Sequence, residues 1–247
     1  MKKILLVANW KMNPQSAKEA RVLFDAVSDN VKKLKNVETI ICPPFCYLSS
    51  LKPSKSAKLG GQDVFWELQG AYTGEISARM LADLGCEYVI VGHSERRQYL
   101  GETDEIINLK LKMALKCDLK PILCVGEQTG QEMGEVVERQ LKIGLTDIAK
   151  AQISNIIIAY EPVWAIGTGN ACSSDNALSA ALFIKKILTN LYGRFLAEKV
   201  PIIYGGSVEA RNAADYIKES QMAGLLVGGA SLDAEEFAKI GQAINNL

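Results

Sequence analysis

The chain contains eight short apolar runs, each separated from the next by a longer polar or amphipathic stretch. Most of these runs are continuous rather than alternating, which is typical of parallel strands that are buried on both faces. The third run is weak by itself and is assigned as a strand because of its place in the series. The predicted strands are Ile4–Asn9, Glu38–Cys42, Lys58–Asp63, Glu87–Gly92, Lys120–Val125, Asn155–Tyr160, Val200–Gly205 and Gly224–Gly228.

The stretches between the strands carry the three-to-four spacing of apolar residues that indicates helices. Ile106, Leu109 and Met113, for example, recur at that spacing. The second helix is short and ends before Pro53. The predicted helices are Ser16–Lys35, Tyr47–Leu51, Ile76–Gly85, Glu102–Cys117, Gly134–Lys150, Ser174–Leu191, Glu209–Glu219 and Asp233–Asn245.

Eight strands that alternate with helices can close into a (β/α)8 barrel or form an open, doubly wound sheet. No G-x-G-x-x-G motif follows Ile4–Asn9, so the dinucleotide-binding form of the open sheet lacks its usual marker. No linker rich in proline, glycine or serine divides the chain. The sequence therefore predicts an α/β protein in which residues 1–247 form a single (β/α)8 barrel domain.

The charge and the cysteines limit the partners and the location. Basic and acidic residues each number 28, a balance that argues against nucleic acid or an anionic membrane as the main partner. No run approaches the roughly 18 apolar residues of a membrane span, and the segment before Asn9 is too short for a signal peptide. The six cysteines form no C-x-x-C pair, which favours reduced thiols in the cytoplasm. Since the chain has one histidine, we expect no zinc or other metal.

Polar side chains follow three of the predicted strands. Asn9 and Lys11 follow the first strand, His93 and Glu95 the fourth, and Glu161 comes directly after the sixth. A lysine there could be a solvated rim charge, and the histidine could be structural. Because the functional site of a (β/α)8 barrel lies at the C-terminal ends of its strands, their coincidence at one face favours a catalytic site.

Glycine-rich loops follow the last three strands. They contain Gly167-Thr168-Gly169, Gly205-Gly206-Ser207 and Gly228-Gly229. Glycine allows backbone N–H groups to approach an anion closely, and phosphates in barrels favour the loops after strands seven and eight. The three loops together predict a phosphate site.

These residues lie in ordered segments that resemble the triosephosphate isomerase family over nearly the whole chain. The resemblance implies a TIM barrel that interconverts dihydroxyacetone phosphate and glyceraldehyde 3-phosphate without a cofactor. The segments that carry it are Asn9-Trp-Lys11-Met-Asn13, Gly70-Ala-Tyr-Thr73-Gly-Glu75, Val91-Gly-His93-Ser-Glu95, Tyr160-Glu161-Pro-Val-Trp-Ala-Ile-Gly-Thr-Gly169, Tyr204-Gly-Gly-Ser207 and Leu226-Val-Gly-Gly-Ala-Ser-Leu232.

The resemblance also implies a role for each site residue. Glu161 is the expected base, and neutral His93 is the expected electrophile in a reaction through an enediolate. Lys11 is expected to hold the negative charge of the substrate beside Asn9, and Glu95 to support the site from behind. The expected phosphate ligands are Gly167, Ser207, Gly228 and Gly229.

A lid and a homodimer are implied in the same way. Gln69–Glu75 is expected to dimerise the chain through Thr73 and Glu75. Closure of the lid is expected to exclude water, with Ile166 and Leu226 enclosing Glu161. The expected lid residues are Pro162, Val163, Trp164, Ala165, Ile166, Gly167, Thr168 and Gly169.

The chain departs from the family pattern at four places. The far hinge of the lid is Asn170-Ala171-Cys172 instead of Lys-Thr-Ala, and Asp63 replaces an asparagine. The loop Gln128–Gly134 is shorter than usual, and Lys185 and Ala223 stand where the family has an ion pair of arginine and aspartate. None of these positions carries the proposed chemistry.

Two other interpretations remain open at this point. A sugar-phosphate epimerase would share the glycine loops but usually needs a metal or a second acid/base at a different strand. A barrel kept only for binding would be expected to have lost Lys11, His93 or Glu161, and all three are present.

Overall fold

The computed structural model describes residues 3–165 and 172–247. Eight parallel strands follow one another around a closed barrel, and β8 pairs with β1 to complete it. The (β/α)8 prediction is therefore confirmed. The strands are β1 (Ile4–Asn9), β2 (Val37–Cys42), β3 (Ala57–Gly61), β4 (Cys86–Val91), β5 (Lys120–Val125), β6 (Ile157–Tyr160), β7 (Ile202–Tyr204) and β8 (Gly224–Val227).

Each predicted strand matches an observed one, with small differences at the ends. β6 begins at Ile157 because the preceding residues Ile153–Asn155 form a 3₁₀ turn. β7 begins after Pro201, which has no N–H to donate to the sheet. β3 ends at Gly61, and the side-chain amide of Gln62 instead donates to the carbonyl oxygens of Lys11 and Cys42, both at 2.8 Å.

The helices lie between the strands and are mostly shorter than predicted. Side chains of Ser16, Ser77, Thr103, Ser173 and Asp233 cap five of them at the N-terminus. The helices are α1 (Ala17–Val31), α2 (Phe45–Leu48), α3 (Ala78–Asp83), α4 (Ser94–Leu100), α5 (Asp104–Lys116), α6 (Met133–Gly144), α7 (Ser174–Tyr192), α8 (Arg194–Ala197), α9 (Ala213–Lys218) and α10 (Ala234–Asn245). The short helix α8 is absent from the predicted set, and α4 begins directly after His93, where a helix was expected.

The strands bury both of their faces. Val7, Ile40 and Ile122 belong to one apolar cluster, to which seven of the strands contribute. Leu6, the neighbour of Val7, belongs to a larger cluster between the strands and the helices. This double burial is the physical reason for the continuous apolar runs. Within the described ranges, no helix is long and apolar enough to cross a membrane.

Candidate active site

Seven of the nine predicted catalytic and phosphate-binding residues line one cavity of about 200 Å³ at the carboxyl ends of the strands. The side chains that carry reactive groups lie at or just after the ends of β1, β4 and β6, and the glycines lie in the loops after β7 and β8. A second cavity of about 350 Å³ also touches Glu161 but is lined by neither Lys11 nor His93. We therefore take the smaller cavity as the site. Its lining includes Asn9, Lys11, His93, Glu161, Ser207, Leu226, Gly228 and Gly229.

Glu161 is 1% exposed and is held at both its backbone and its side chain. Its N–H donates to the carbonyl oxygen of Val125 at 2.8 Å. Oε2 accepts a hydrogen bond of 3.0 Å from the backbone N–H of Ser94, the first residue of α4. Oε1 lies 3.3 Å from Nε2 of His93 and has no hydrogen-bond partner among the described residues. One carboxylate oxygen is thus anchored, and the other is available.

Two glycines make room for Glu161. A Cβ atom at Gly126 would lie 1.8 Å from the carbonyl oxygen of Glu161, and one at Gly205 would lie 2.9 Å from its Cγ. Cys124 also lies beside the carboxylate, and burial, together with the charge of Glu161, raises the pKa of this thiol. Cys124 therefore stays protonated next to the carboxylate.

His93 is oriented by the helix that follows it. Nδ1 accepts a hydrogen bond of 3.3 Å from the backbone N–H of Glu95, so His93 caps the N-terminus of α4. A ring nitrogen that accepts a hydrogen bond carries no proton. This network assigns the neutral imidazole with its proton on Nε2, the nitrogen nearest Glu161.

Lys11 also lines the cavity, with its ammonium group beside Glu95. Its Nζ is 2.5 Å from Oε1 of Glu95, and its backbone N–H donates to Oδ1 of Asn9 at 3.0 Å. Lys11 has a φ of 54°, a left-handed conformation that is uncommon outside glycine. The hydrogen bond that its N–H donates to Asn9 and the one that its carbonyl oxygen accepts from Gln62 hold that turn in place.

Two of the three predicted phosphate loops, those after β7 and β8, line the cavity. Ser207, Gly228 and Gly229 line it together, and a Cβ atom at Gly229 would meet nothing within 4 Å. Glu209 lines the same cavity and forms an ion pair with Arg211 at 2.7 Å. An acid beside these glycines carries no sequence signal of its own, and the sequence predicts no role for Glu209.

The first part of the predicted lid is anchored by Glu127. Val163–Ala165 forms a 3₁₀ turn, and Nε1 of Trp164 donates to Oε1 of Glu127 at 2.7 Å. The hydroxyl of Tyr160 donates to the same carboxylate at 3.2 Å. The remaining lid residues lie outside the described residues; they are Ile166, Gly167, Thr168 and Gly169, of which Gly167 is also a predicted phosphate ligand. The hinge residues Asn170 and Ala171 lie outside them as well.

Cys172, the last hinge residue, is buried at the far end of the lid segment. Its backbone N–H donates to the hydroxyl of Tyr204 at 3.3 Å, and its carbonyl oxygen accepts from the hydroxyl of Tyr216 at 2.7 Å. The two tyrosine rings stack on each other with their centroids 3.8 Å apart. Cys172, which departs from the family pattern, is therefore part of the buried core.

Two of the other departures have local partners. Asp63 lies in an ion-pair cluster with Lys110 at 2.7 Å and with Arg96 at 2.9 Å, and Lys110 also pairs with Glu102. Nζ of Lys185 donates to the carbonyl oxygens that follow α7, at Ala197 (2.8 Å) and Val200 (3.2 Å).

The predicted dimer residues Thr73 and Glu75 are exposed on the loop between β3 and α3, away from the cavity lining.

Comparison with known proteins identifies the family of the chain. The family model described as Triosephosphate isomerase matches residues 4–244. The triosephosphate isomerase of Alkaliphilus oremlandii is 46% identical over 247 residues, covering 97% of this chain and 99% of that protein. The triosephosphate isomerase of Endomicrobium trichonymphae is 47% identical, covering 97% and 98%. That of Dictyoglomus turgidum is 45% identical over 244 residues, covering 96% and 98%. The chain belongs to the triosephosphate isomerase family.

Proposed function

We propose that this chain interconverts dihydroxyacetone phosphate and D-glyceraldehyde 3-phosphate through an enediolate. The observation that carries the proposal is the meeting of Glu161, His93 and Lys11 in one cavity of about 200 Å³. That volume suits a small substrate, and the three side chains supply a base, a hydrogen-bond donor and a positive charge. Membership of the family supports the same reaction.

Glu161 acts as the base. Its unpartnered Oε1 removes the proton from the carbon beside the carbonyl group, and the electron pair of that C–H bond moves toward the carbonyl oxygen. The hydroxyl proton of the enediolate then passes, through Nε2 of His93, from the oxygen that becomes the new carbonyl to the oxygen that becomes the new hydroxyl, and Glu161 returns its proton to the neighbouring carbon. The N–H of Ser94 keeps the carboxylate in place through both steps because it binds the other oxygen.

His93 and Lys11 stabilise the oxygen charge of the enediolate. The Nε2–H of neutral His93 donates to the substrate oxygen on which charge develops. The ammonium of Lys11 offsets the negative charge of the substrate, and Asn9 fixes the backbone turn that carries it. Glu95 bonds both Lys11 and His93 and positions them, without itself lining the cavity.

The phosphate group of the substrate binds at the glycine end of the cavity. Ser207, Gly228 and Gly229 line this end, and Gly167 of the lid completes the set. Lid residues 162–169 close over the cavity and exclude water, which protects the enediolate from loss of phosphate. No metal or cofactor takes part in these steps.

The family assignment also supports an oligomeric state and a cellular location for this enzyme. We infer a homodimer formed by the exposed loop that carries Thr73 and Glu75, and a cytoplasmic location in which the free cysteines stay reduced. Sedimentation at micromolar concentration tests the dimer, and a monomer there would refute it.

The decisive experiment for the reaction compares wild type with Glu161→Asp in a coupled isomerase assay. Shortening the base by one methylene group should leave substrate binding nearly unchanged and reduce kcat by at least about 100-fold, because proton transfer depends on reach. Glu198→Asp, at an exposed position, is the matched control. Deuterium from D2O should appear on the carbon next to the carbonyl group of the product. Equal activity of the two carboxylate variants would refute the role of Glu161.

A further inference from the structure

A cavity of about 600 Å³ opens at the end of the barrel opposite the active site. It lies where the first three strands begin, beside the last turn of α1 and the segment that leads into β3. Its walls carry five lysines and one acid, which are Lys3, Lys32, Lys35, Lys55, Lys58 and Glu38.

This cavity is separate from the proposed catalytic site. Lys58 and Glu38 are at the amino ends of β3 and β2, whereas Asn9 and Lys11 are at the carboxyl end of β1. A strand of six residues at ~3.3 Å per residue spans about 20 Å. A molecule bound here would therefore touch none of the residues that carry the proposed reaction.

The single acid in the cavity wall is already neutralised. The carboxylate of Glu38 accepts a hydrogen bond from the hydroxyl of Tyr88 and lies 3.2 Å from Nζ of Lys58. Lys58 also reaches Glu87 at 2.8 Å, and Lys32 pairs with Asp29 at 2.5 Å. Two of the five lysines thus have acidic partners on the protein.

The other three lysines leave an excess of positive charge. Lys3, Lys35 and Lys55 form no ion pair with any residue of the described ranges 3–165 and 172–247. The whole chain has zero formal charge, so this excess is a property of the cavity and not of a basic protein. Three unpaired ammonium groups around one concavity attract an anion with several charges.

The segment that carries Lys55 has a fixed shape. Oγ of Ser54 accepts hydrogen bonds from the backbone N–H groups of Ser56 (3.3 Å) and Ala57 (3.2 Å). This serine turn closes around Lys55 and keeps the residue on the cavity wall. The hydroxyls of Ser54 and Ser56 lie 3.0 Å apart, and both residues line the cavity beside the ammonium groups.

We propose that this cavity binds a small molecule that carries two or more linked phosphate groups. Lysine ammonium groups bind phosphate as point charges, and three of them match a polyphosphate better than a single phosphate. The cavity has three times the volume of the one assigned to the triose phosphate, which leaves room for a larger ligand. Nucleic acid fits less well, because a long backbone needs an extended basic surface.

The test uses inorganic tripolyphosphate as the probe, titrated calorimetrically at constant ionic strength. We expect saturable binding to wild type and at least about tenfold weaker binding to the double variant Lys35→Gln/Lys55→Gln. The control is Lys33→Gln/Lys52→Gln, which removes two neighbouring positive charges outside the cavity lining and should keep the wild-type affinity. Equal weakening in both double variants would overturn the proposal, since it would indicate general surface attraction.

The variant Ser207→Asp distinguishes tripolyphosphate binding at the lysine-lined cavity from binding at the catalytic cavity. It places an acid among the proposed phosphate ligands and should repel the anion from the catalytic cavity only. Tripolyphosphate binding should survive this change, and the Lys35→Gln/Lys55→Gln variant should keep wild-type kcat and KM. Loss of binding in Ser207→Asp, with retention in the lysine variant, would assign the anion to the active site and refute a second site. If ATP binds at least as tightly as tripolyphosphate, the cavity accepts a nucleoside polyphosphate. If orthophosphate binds as tightly as tripolyphosphate, the proposed requirement for linked phosphate groups is contradicted.

Discussion

The backbone N–H of Ser94 donates a hydrogen bond of 3.0 Å to Oε2 of Glu161, so a helix that follows β4 orients the carboxylate that follows β6. The side chain of Ser94 is not needed for this bond. The first turn of a helix leaves its N–H groups without intrahelical partners, and one of them is used here.

Replacing Ser94 by proline removes this N–H while keeping the helix. Proline is tolerated at the first helical position, and His93, with φ −51° and ψ 143°, has the extended conformation that precedes a proline. Losing a hydrogen bond to a charged group should reduce kcat about 10- to 100-fold with little change in KM. Ser94→Ala retains the N–H and should stay near wild type. Steady-state kinetics of both variants check this, and a fully active Ser94→Pro variant would contradict it.

Gly126→Ala should destabilise the fold. The added Cβ atom would lie 1.8 Å from the carbonyl oxygen of Glu161, so the backbone of one strand end must move. We expect a loss of about 3 kcal/mol in the free energy of unfolding, measured with urea. Gly134→Ala is the matched control, because its Cβ atom meets Phe183 at an ordinary 3.5 Å within α6. A similar stability for both variants would be inconsistent with the close approach.

The stability of the protein should depend on pH through Asp63. Burial raises the pKa of Asp63 to about 6, with Glu102 adding to the rise while Lys110 and Arg96 oppose it. The unfolded chain has an aspartate pKa of about 3.9. The folded state therefore binds this proton more tightly, and the resulting stabilisation is fully present below about pH 4 and is lost as the pH rises through about 6.

Asp63→Asn mimics the protonated side chain and isolates this effect. The variant should come within about 0.5 kcal/mol of wild type at pH 4 and exceed its free energy of unfolding at pH 8 by up to about 3 kcal/mol. Urea unfolding of both proteins at the two pH values measures it. A stability difference that is the same at pH 4 and pH 8 would show that Asp63 does not titrate in this range.

Glu209 should weaken the binding of substrate. Its carboxylate lines the cavity proposed to hold a phosphate, and Arg211 partly neutralises it at 2.7 Å. Glu209→Gln should lower KM about two- to fivefold at low salt, and Arg211→Gln should raise it by a similar factor, with kcat nearly constant in both. Initial rates at two ionic strengths provide the check. If both variants moved KM in the same direction, the electrostatic explanation would fail.

The barrel was predictable because its signal is repeated. Eight apolar runs at similar spacing gave every strand, including β3, whose own residues indicate a strand only weakly. The positions of Lys11, His93 and Glu161 followed from one rule about strand ends. α8 was absent from the predicted helices because its four residues are too few to show an apolar period.

Contacts between loops had no comparable signal. Gly126 is required by the backbone of Glu161, and Gln62 bonds the turn at Lys11, yet each pair is far apart in the sequence. Such pairs are set by how neighbouring strands stagger in the closed barrel. Charge pairs such as Glu209 with Arg211 depend on side-chain direction as well, which periodicity does not encode.

The pairing of β8 with β1 has a consequence for biosynthesis. Gly228, which follows the last strand, packs against Lys11, which follows the first: a Cβ atom at Gly228 would lie 3.3 Å from Cε of that lysine. A nascent polypeptide that ends before β8 therefore contains Lys11, His93 and Glu161 but lacks one wall of their cavity. Translation must reach the final strand before the enzyme can turn over its first molecule.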